Sequence, residues 1–188
     1  MQKDKAVRSF IALELPKNMR EACRQIESEL KPNLPQLKWV APQNIHLTLK
    51  FLGQITPHDV SRFIDIIKNA FANLNAFSLQ IKKPGFFPNK KNPRIIFLAI
   101  NQKKAIQEIY ARLDKVSAPN RDSRGLPFEP HITLARIKDN KLLNTDISLI
   151  EKVNLPGKKF LVNRICLFES KLTAGGPQYK KLFSLTLP

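Results

Sequence analysis

The sequence predicts a fold of strands and helices in two similar halves, and three observations support this. Each half has the order β-α-β-α-β, each has a histidine-bearing strand at its centre, and the spacings agree. Phe10 precedes His46 by 36 residues, and Phe97 precedes His131 by 34. This pattern indicates an internal duplication. We therefore expect residues 1–188 to form a single domain of two pseudo-symmetric lobes, with the two histidines facing each other.

The first half contains apolar runs typical of strands and apolar residues at helical spacing. Pro16 opens a helix that continues to about Leu30, and Thr56 has the sequence context of an N-cap for the next helix, with Pro57 and Asp59 in its first turn. The predicted strands are Ser9–Leu15, the short Leu37–Val40, Ile45–Leu52 and Phe77–Ile81.

The second half repeats this order. Its predicted helices are Ala105–Val116 and Leu142–Glu151. Its predicted strands are Arg94–Ile100, Phe128–Arg136, Phe160–Phe168 and a final strand, Tyr179–Leu187. Between the first helix and the second histidine strand lies a polar, basic segment, Ser117–Pro127. It is either a substrate-binding lip or an ordinary connector.

The charge of the chain is strongly positive. Thirty-two Lys and Arg residues against fifteen Asp and Glu residues give a formal net charge of +17. Such an imbalance favours polyanions, of which nucleic acid is the commonest, although a solvated lysine-rich surface has the same composition. The basic residues are scattered pairs such as Lys90-Lys91 and Lys180-Lys181, so a broad positive field is expected rather than a basic tail.

The lengths of the apolar runs and the spacing of the cysteines predict the localisation of the protein. The longest apolar runs, such as Ile95–Ile100, are far shorter than the ~20 residues that span a bilayer, and the N-terminus does not resemble a signal peptide. Cys23 and Cys166 lie in a helical and a strand pattern, without a C-x-x-C motif. We expect a cytoplasmic protein with two buried free thiols.

Two of the three histidines share one local pattern. His46-Leu-Thr48-Leu and His131-Ile-Thr133-Leu both read His-apolar-Thr-apolar. On a strand, residues i and i+2 point to the same face, so each motif presents an imidazole and a hydroxyl together. His58 lies in the first turn of a helix, where a solvated surface role is expected.

Two facing imidazoles indicate acid–base chemistry on a shared phosphate. One histidine can take a proton from water while the other protonates the departing oxygen, and the threonine hydroxyls can bind non-bridging oxygens. The alternatives are a core imidazole bonded to backbone and a zinc site. Zinc would need further ligands, and although Glu129 lies two residues before His131, the matching position before His46 is Asn44. No metal or cofactor is therefore expected.

The duplicated motif resembles that of the two-histidine (2H) phosphoesterases. Further matches resemble the RNA 2′,3′-cyclic phosphodiesterases of LigT/ThpR type, formerly called 2′-5′ RNA ligases. They span nearly the whole chain and include Arg8-Ser-Phe-Ile-Ala, Asn44-Ile-His-Leu-Thr-Leu-Lys-Phe-Leu-Gly53, Phe128-Glu-Pro-His-Ile-Thr-Leu-Ala-Arg136 and Gly176-Pro-Gln-Tyr179. The resemblance implies a bilobal α+β fold with two antiparallel sheets around a central cleft and helices outside.

The resemblance also implies an activity and residue roles. The activity is hydrolysis of an RNA 2′,3′-cyclic phosphate end to a 2′-phosphomonoester. His46 would be the general acid and His131 the general base, and Thr48 and Thr133 would hold the phosphate. The residues expected to contact substrate besides these are Phe51, Arg136 and Tyr179.

Strand geometry raises a question about two of these contacts. Phe51 and Arg136 each lie five residues after a histidine, so ideal pleating would point them to the opposite face. A bulge, a bend or a strand end must intervene if they reach the cleft; otherwise Phe51 belongs to the core.

Two other classes of function remain open from the sequence. The chain could catalyse a related 2H reaction, such as reversible 2′-5′ RNA ligation or cleavage of another cyclic nucleotide. It could also be a basic RNA-binding module without turnover, although the two intact motifs argue against this. We expect RNA with a cyclic phosphate end as the substrate, no membrane partner, and a monomer.

Overall fold

A computed structural model describes residues 6–116, 128–137, 142–157 and 159–188 of the chain. Within them the fold is α+β, with four α-helices packed on antiparallel sheets. The helices are α1 (Lys17–Leu30), α2 (Pro57–Phe71), α3 (Lys103–Val116) and α4 (Asn144–Glu151). A short 3₁₀ turn, Pro42–Asn44, precedes the first histidine. The predicted segment Ser117–Pro127 lies outside the described residues.

The ten strands form three antiparallel sheets. They are β1 (Val7–Glu14), β2 (Leu37–Trp39), β3 (His46–Ile55), β4 (Phe77–Leu79), β5 (Ile81–Phe87), β6 (Ile95–Ile100), β7 (His131–Ile137), β8 (Phe160–Val162), β9 (Arg164–Thr173) and β10 (Gly176–Thr186). The first sheet has the order β10-β9-β1-β3 and the second has the order β2-β7-β6-β5. Strands β4 and β8 pair with each other in a small third sheet.

Both main sheets combine strands from the two ends of the chain. Strand β5, which follows β4, joins the second sheet beside β6, and β9, which follows β8, joins the first sheet beside β1. The short β2 also crosses over and pairs with β7. Neither sheet is therefore built from one contiguous half of the sequence.

Several strand predictions need correction. Strand β3 ends at Ile55 rather than Leu52, and β7 begins at His131 rather than Phe128. The predicted strands Phe77–Ile81 and Phe160–Phe168 are each divided in two, because the chain changes sheet at Gln80 and at Asn163. The sequence analysis missed β5, whose Pro84 and Gly85 are untypical of a strand interior but are tolerated in an edge strand such as this one. The last strand begins at Gly176, three residues earlier than predicted, because it forms a long hairpin with β9.

The helices agree closely with the predictions. Pro16 is the N-cap of α1, and four apolar residues on one face of that helix are buried: Met19, Cys23, Ile26 and Leu30. Thr56 and Asp59 form a capping box at the start of α2. The helices α3 and α4 bury Ile106, Ile109, Leu113, Ile147 and Ile150.

The described residues contain no helix long and apolar enough to cross a membrane. Cys23 and Cys166 are buried free thiols, as expected. His58 is exposed on α2, also as expected.

Candidate active site

The strands that carry the two histidine motifs lie in contact where the two main sheets approach each other. Both show the same pattern of exposure. In β3, His46 and Thr48 are half-buried, while Leu47 and Leu49 between and after them are buried. The motif on β7 repeats this pattern residue by residue. Each strand thus presents its imidazole and its hydroxyl on one face and anchors the opposite face in the core.

Hydrogen bonds fix the tautomer of His46. Its Nδ1 lies 2.6 Å from the carbonyl oxygen of Asn44. Because a carbonyl oxygen only accepts, Nδ1 carries the proton and donates it there. Nε2 of the neutral ring therefore accepts, and it lies 2.9 Å from Oγ1 of Thr48, whose hydroxyl donates to it. The ring nitrogen of His46 that can accept a proton is thus Nε2, which contacts the threonine of the same motif.

His131 has the same arrangement. Its Nδ1 donates to the carbonyl oxygen of Glu129 at 2.7 Å, which leaves Nε2 as the nitrogen available for chemistry. The carbonyl again belongs to the residue two positions before the histidine. The two motifs therefore hold the same tautomer by the same local bond.

Burial keeps both imidazoles neutral. Desolvation is the main cause that lowers the pKa of His46 to about 4; a charge on His131 acts in the same direction, and the hydrogen bond to Asn44 acts in the opposite one. Desolvation also lowers the pKa of His131, with a smaller contribution from the charge of Arg136, while the carboxylate of Glu129 acts in the opposite direction. The strands that carry the two rings are in contact, so a charge on His131 disfavours a charge on His46.

Aromatic rings surround both histidines. Phe10 stacks on the His46 ring with centroids 4.8 Å apart, and Tyr179 approaches its edge at 5.3 Å. Phe87 and Phe97 pack edge-on against His131 at 4.8 Å and 5.4 Å. These rings desolvate the imidazoles and restrict their motion.

The sequence analysis did not identify these phenylalanines as site residues. Phe10 and Phe97 occupy equivalent places in the two halves, each on the strand beside its histidine strand. That equivalence of spacing is the signal that could have found them. Phe168, which stacks on Phe10 at 5.2 Å, has no such signal because it lies on a strand added from the other end of the chain.

Gly85 allows the ring of Phe97 to take its position. It lies directly opposite Phe97 in the pairing of β5 and β6, and a Cβ atom built on it would overlap the ring. Phe97 is 8% exposed and stacks on Phe87 with centroids 4.2 Å apart. The glycine therefore provides the space through which two aromatic rings reach His131.

A register shift follows the threonine in both motif strands. Between β1 and β3, Thr48 pairs with Ala12 and Lys50 with Ile11, so Leu49 is skipped. Between β6 and β7, Thr133 pairs with Phe97 and Ala135 with Ile96, so the residue after the threonine, Leu134, is skipped. Both shifts are β-bulges, which reverse the face to which later residues point.

The bulges bring Phe51 and Arg136 back to the histidine face. Phe51 is 43% exposed, and its ring lies 6.1 Å from that of Phe10, which itself stacks on His46. Arg136 is exposed, and its charge lowers the pKa values of both His131 and Tyr179. The structure thus contains the bulges that the sequence analysis required for these two residues to reach the cleft.

The bulge in β3 also turns a lysine into the core. Lys50 is 2% exposed, and its ammonium group forms an ion pair of 2.5 Å with Asp114 on α3. Sequence reasoning did not identify this pair, since only the bulge sends Lys50 to the helix side. The pair links the first histidine strand to the helix that precedes the second one.

Thr133 and Tyr179 complete the set of predicted residues. Thr133 is half-buried on the same face of β7 as His131. Tyr179 lies edge-on to His46, and burial raises the pKa of its phenol. The described residues contain no cluster of three or more His, Cys, Asp or Glu side chains that could hold a metal ion.

Comparison with known proteins identifies the family. The model of the 2′-5′ RNA ligase superfamily matches residues 16–173. The chain belongs to the 2′-5′ RNA ligase superfamily. The match covers both histidine motifs, so the resemblance recognised in the sequence is confirmed.

Relatives within this superfamily match over almost their full length. The RNA 2′,3′-cyclic phosphodiesterase of Aquifex aeolicus is 34% identical over 93% of this chain and 94% of the relative. The protein of the same name from Methanothermobacter thermautotrophicus is 28% identical, covering 92% of this chain and 95% of the relative. The sequence similarity is therefore not confined to the motifs.

Solved structures have the same fold. TT0787 of Thermus thermophilus superposes with a TM-score of 0.78 at 27% identity, covering 96% of this chain and 97% of that one. E. coli LigT complexed with phosphate has a TM-score of 0.72 at 23% identity, covering 97% and 98%. The predicted α+β class with antiparallel sheets is confirmed.

Proposed function

We propose that this protein hydrolyses the 2′,3′-cyclic phosphate at RNA ends to a 2′-phosphomonoester, without a metal, through His46 and His131. The observation that carries the proposal is the pair of adjacent strands that each present an Nε2 nitrogen and a threonine hydroxyl on one face. The relatives named RNA 2′,3′-cyclic phosphodiesterase support the reaction class.

The reaction needs one proton removed and one supplied. His131 Nε2 takes a proton from water as the water oxygen forms a bond to phosphorus. The bond from phosphorus to the 3′-oxygen breaks, and His46 Nε2 gives its proton to that oxygen. The products are a 3′-hydroxyl and a 2′-phosphate, and the second turnover requires the proton to return from His131 to His46 through solvent.

The substrate itself provides the charge that His46 needs. With a pKa of about 4, the free imidazole is neutral near pH 7, whereas a general acid must be protonated. A bound phosphate anion favours the charged form of a neighbouring histidine and raises its pKa. When His46 is protonated, Nε2 becomes a donor, and the Thr48 hydroxyl is released to bind a phosphate oxygen.

The other predicted residues bind the substrate in this scheme. Thr133 holds a non-bridging oxygen from the second strand, and Arg136 stabilises the negative charge that develops on the non-bridging oxygens in the transition state. Phe51 presents an exposed ring to the terminal nucleoside, and Tyr179 limits the cleft beside His46.

We also propose that the chain is an internal duplication that acts as one monomeric domain in the cytoplasm. In support, the strands β3 and β7 share one burial pattern and one bulge position. Strand β4 of the first half pairs with β8 of the second half. In addition, β5 and β9 each join the sheet that contains the histidine strand of the other half, so the exchange is the same in both directions.

Reversible 2′-5′ RNA ligation and cleavage of other cyclic nucleotides use the same kind of cleft, so the product must be measured. RNA ending in a 2′,3′-cyclic phosphate is incubated with the protein in excess EDTA, and the new end is analysed. We expect a 2′-phosphate and full activity in EDTA. A 3′-phosphate, a ligated product, or activity that returns only on adding zinc or manganese would contradict the proposal. No reaction would favour an RNA-binding module.

A further inference from the structure

Two cations stand directly opposite each other at one end of the cleft. Lys38 on β2 is the register partner of Arg136 on β7, and both are exposed. Partners across an antiparallel pair lie on the same face, and like charges placed there destabilise the sheet. Among the described residues, no carboxylate forms an ion pair with either of them. This arrangement is typical of a site that binds an anion.

A third cation approaches from the other sheet. Arg8 is exposed on β1, two residues before Phe10, so it lies on the face that packs against His46. The charges of Arg8 and Arg136 both lower the pKa of the same phenol, Tyr179. Arg8 on the first sheet and Arg136 on the second thus act electrostatically on the same phenol, and Lys38 is the register partner of Arg136.

The opposite end of the first sheet is different. There Glu14, the register partner of His46, forms ion pairs with Lys181 at 2.9 Å and with Arg164 at 3.5 Å. A carboxylate thus neutralises part of the positive charge on that side. Among the residues that the structure describes, Arg8, Lys38 and Arg136 have no such carboxylate partner.

We propose that Arg8 and Lys38 form a second phosphate subsite, which binds the 3′,5′-phosphodiester on the 5′ side of the terminal nucleotide. This proposal rests on the proposed function and specifies its substrate as an oligoribonucleotide end. A mononucleotide 2′,3′-cyclic phosphate has only the phosphate that meets the histidines. An RNA end has a further negative charge for the subsite, held by the fork of Arg8 and the point charge of Lys38.

Three substrates test the subsite. They are cytidine 2′,3′-cyclic phosphate, a dinucleotide with a 2′,3′-cyclic phosphate end, and the same dinucleotide with a neutral methylphosphonate linkage. The variants are Lys38→Gln and Arg8→Gln, and the control is Lys104→Gln, which removes an exposed lysine from α3. All four proteins are compared by kcat/KM and by its dependence on salt.

Each subsite variant is expected to lose about tenfold in kcat/KM on the charged dinucleotide and to stay within about twofold of wild type on the other two substrates. For Lys38→Gln on the charged dinucleotide, the slope of log(kcat/KM) against log salt should become shallower by about 0.7, the value for one phosphate contact on a single strand. Lys104→Gln should match wild type throughout. Equal losses on all three substrates, or no loss on the dinucleotide, would overturn the subsite.

A binding measurement separates this proposal from the proposed function. Dye-labelled dinucleotides ending in a 2′-phosphate, with either the charged or the neutral linkage, are titrated and followed by fluorescence anisotropy. The wild type should prefer the charged linkage about tenfold, and Lys38→Gln should lose that preference, whether or not any substrate is turned over. Equal affinity of the wild type for both ligands would end the subsite proposal even if hydrolysis is observed.

Discussion

A carbonyl oxygen two residues before each histidine sets the chemistry of the ring. The two carbonyls belong to Asn44 and Glu129, and each accepts from Nδ1. The side chains of these residues are fixed differently. Asn44 donates to the carbonyl oxygen of Pro177 on β10 at 2.7 Å, whereas Glu129 forms an ion pair with Lys103 on α3. Different side chains thus hold the backbone that orients both imidazoles.

Replacing either histidine with alanine tests the catalytic assignment. His46→Ala and His131→Ala should each lower kcat by about 10²–10⁴-fold, because each removes one of the two proton transfers. RNA binding should largely survive, since Arg136 and the threonines remain. Turnover on cyclic-phosphate RNA and binding by anisotropy measure the two effects. His58→Ala, at an exposed position of α2, is the control and should keep full activity. Wild-type turnover in both motif variants would disprove the mechanism.

The pH profile tests the role of substrate charge. The general acid must be protonated, so activity is lost as pH rises through its pKa. In the free enzyme that pKa is lowered, to about 4 for His46, and a bound phosphate anion raises it. The fall of kcat at high pH, the alkaline limb of its profile, reflects the pKa of the acid in the enzyme–substrate complex, and the alkaline limb of kcat/KM reflects its pKa in the free enzyme. The alkaline limb of kcat should therefore lie at higher pH than that of kcat/KM. Coincident limbs in the two profiles would show that bound phosphate does not raise the pKa of the acid.

At the scale of single elements, the bulge is the feature that completes the site. Without it, Phe51 and Arg136 would point into the core, and Lys50 would point into the cleft. With it, Lys50 reaches Asp114 on α3, while Phe51 approaches the aromatic rings around His46. The bulge that follows each motif threonine therefore determines which of the later side chains share a face with the histidine.

Gly85→Ala tests the packing that β5 provides. The new Cβ would overlap the ring of Phe97, so the ring must move and release its contact with His131. We expect a destabilisation of about 1–3 kcal/mol, typical of overpacking, and a lower kcat at temperatures where the variant is fully folded. Denaturant unfolding and steady-state kinetics measure these two effects.

Gly157→Ala is a matched control for that variant, since a Cβ at position 157 meets no atom within 4 Å. It should change neither stability nor kcat appreciably. If Gly85→Ala keeps the wild-type kcat while it is less stable, Phe97 supports only the fold and does not position His131.

The sequence predicts the elements with local signals and misses those that depend on distant partners. The capping box of α2 and the alternation in both histidine strands are written in adjacent residues. The strand β5 is stable only because β6 lies beside it, and Phe168 reaches the site only because β9 joins β1. The position of the bulges follows from pairing between strands, so the sequence could show only that a bulge, a bend or a strand end was needed for Phe51 and Arg136 to reach the cleft.

At the scale of the whole molecule, the exchange of strands ties the sheets together. The first sheet contains β9 and β10 from the C-terminal part of the chain, and the second contains β2 and β5 from the N-terminal part. Neither sheet can form completely without residues from both parts. The cleft between them is therefore a property of the complete fold, and the positions of its two half-buried histidines depend on both parts of the chain.

The stability of the protein should consequently fall in mild acid. Between the unfolded pKa of about 6.5 and the folded value near 4, His46 binds a proton more readily in the unfolded chain than in the folded one. The contribution of the neutral ring is therefore complete above this window and is lost as pH falls through it, by on the order of 3 kcal/mol in total. The lowered pKa of His131 acts in the same direction.

Denaturant unfolding at pH 7, 6 and 5 measures this loss in the wild type, His46→Gln and the control His58→Gln. Glutamine does not titrate, so the free energy of unfolding of His46→Gln should decrease less between pH 7 and pH 5 than that of the wild type. His58→Gln should follow the wild-type curve, because His58 is exposed. If the free energy of unfolding depends on pH in the same way in all three proteins, the His46 ring is hydrated and takes up its proton without disturbing the fold. That result would remove the physical basis for its low pKa.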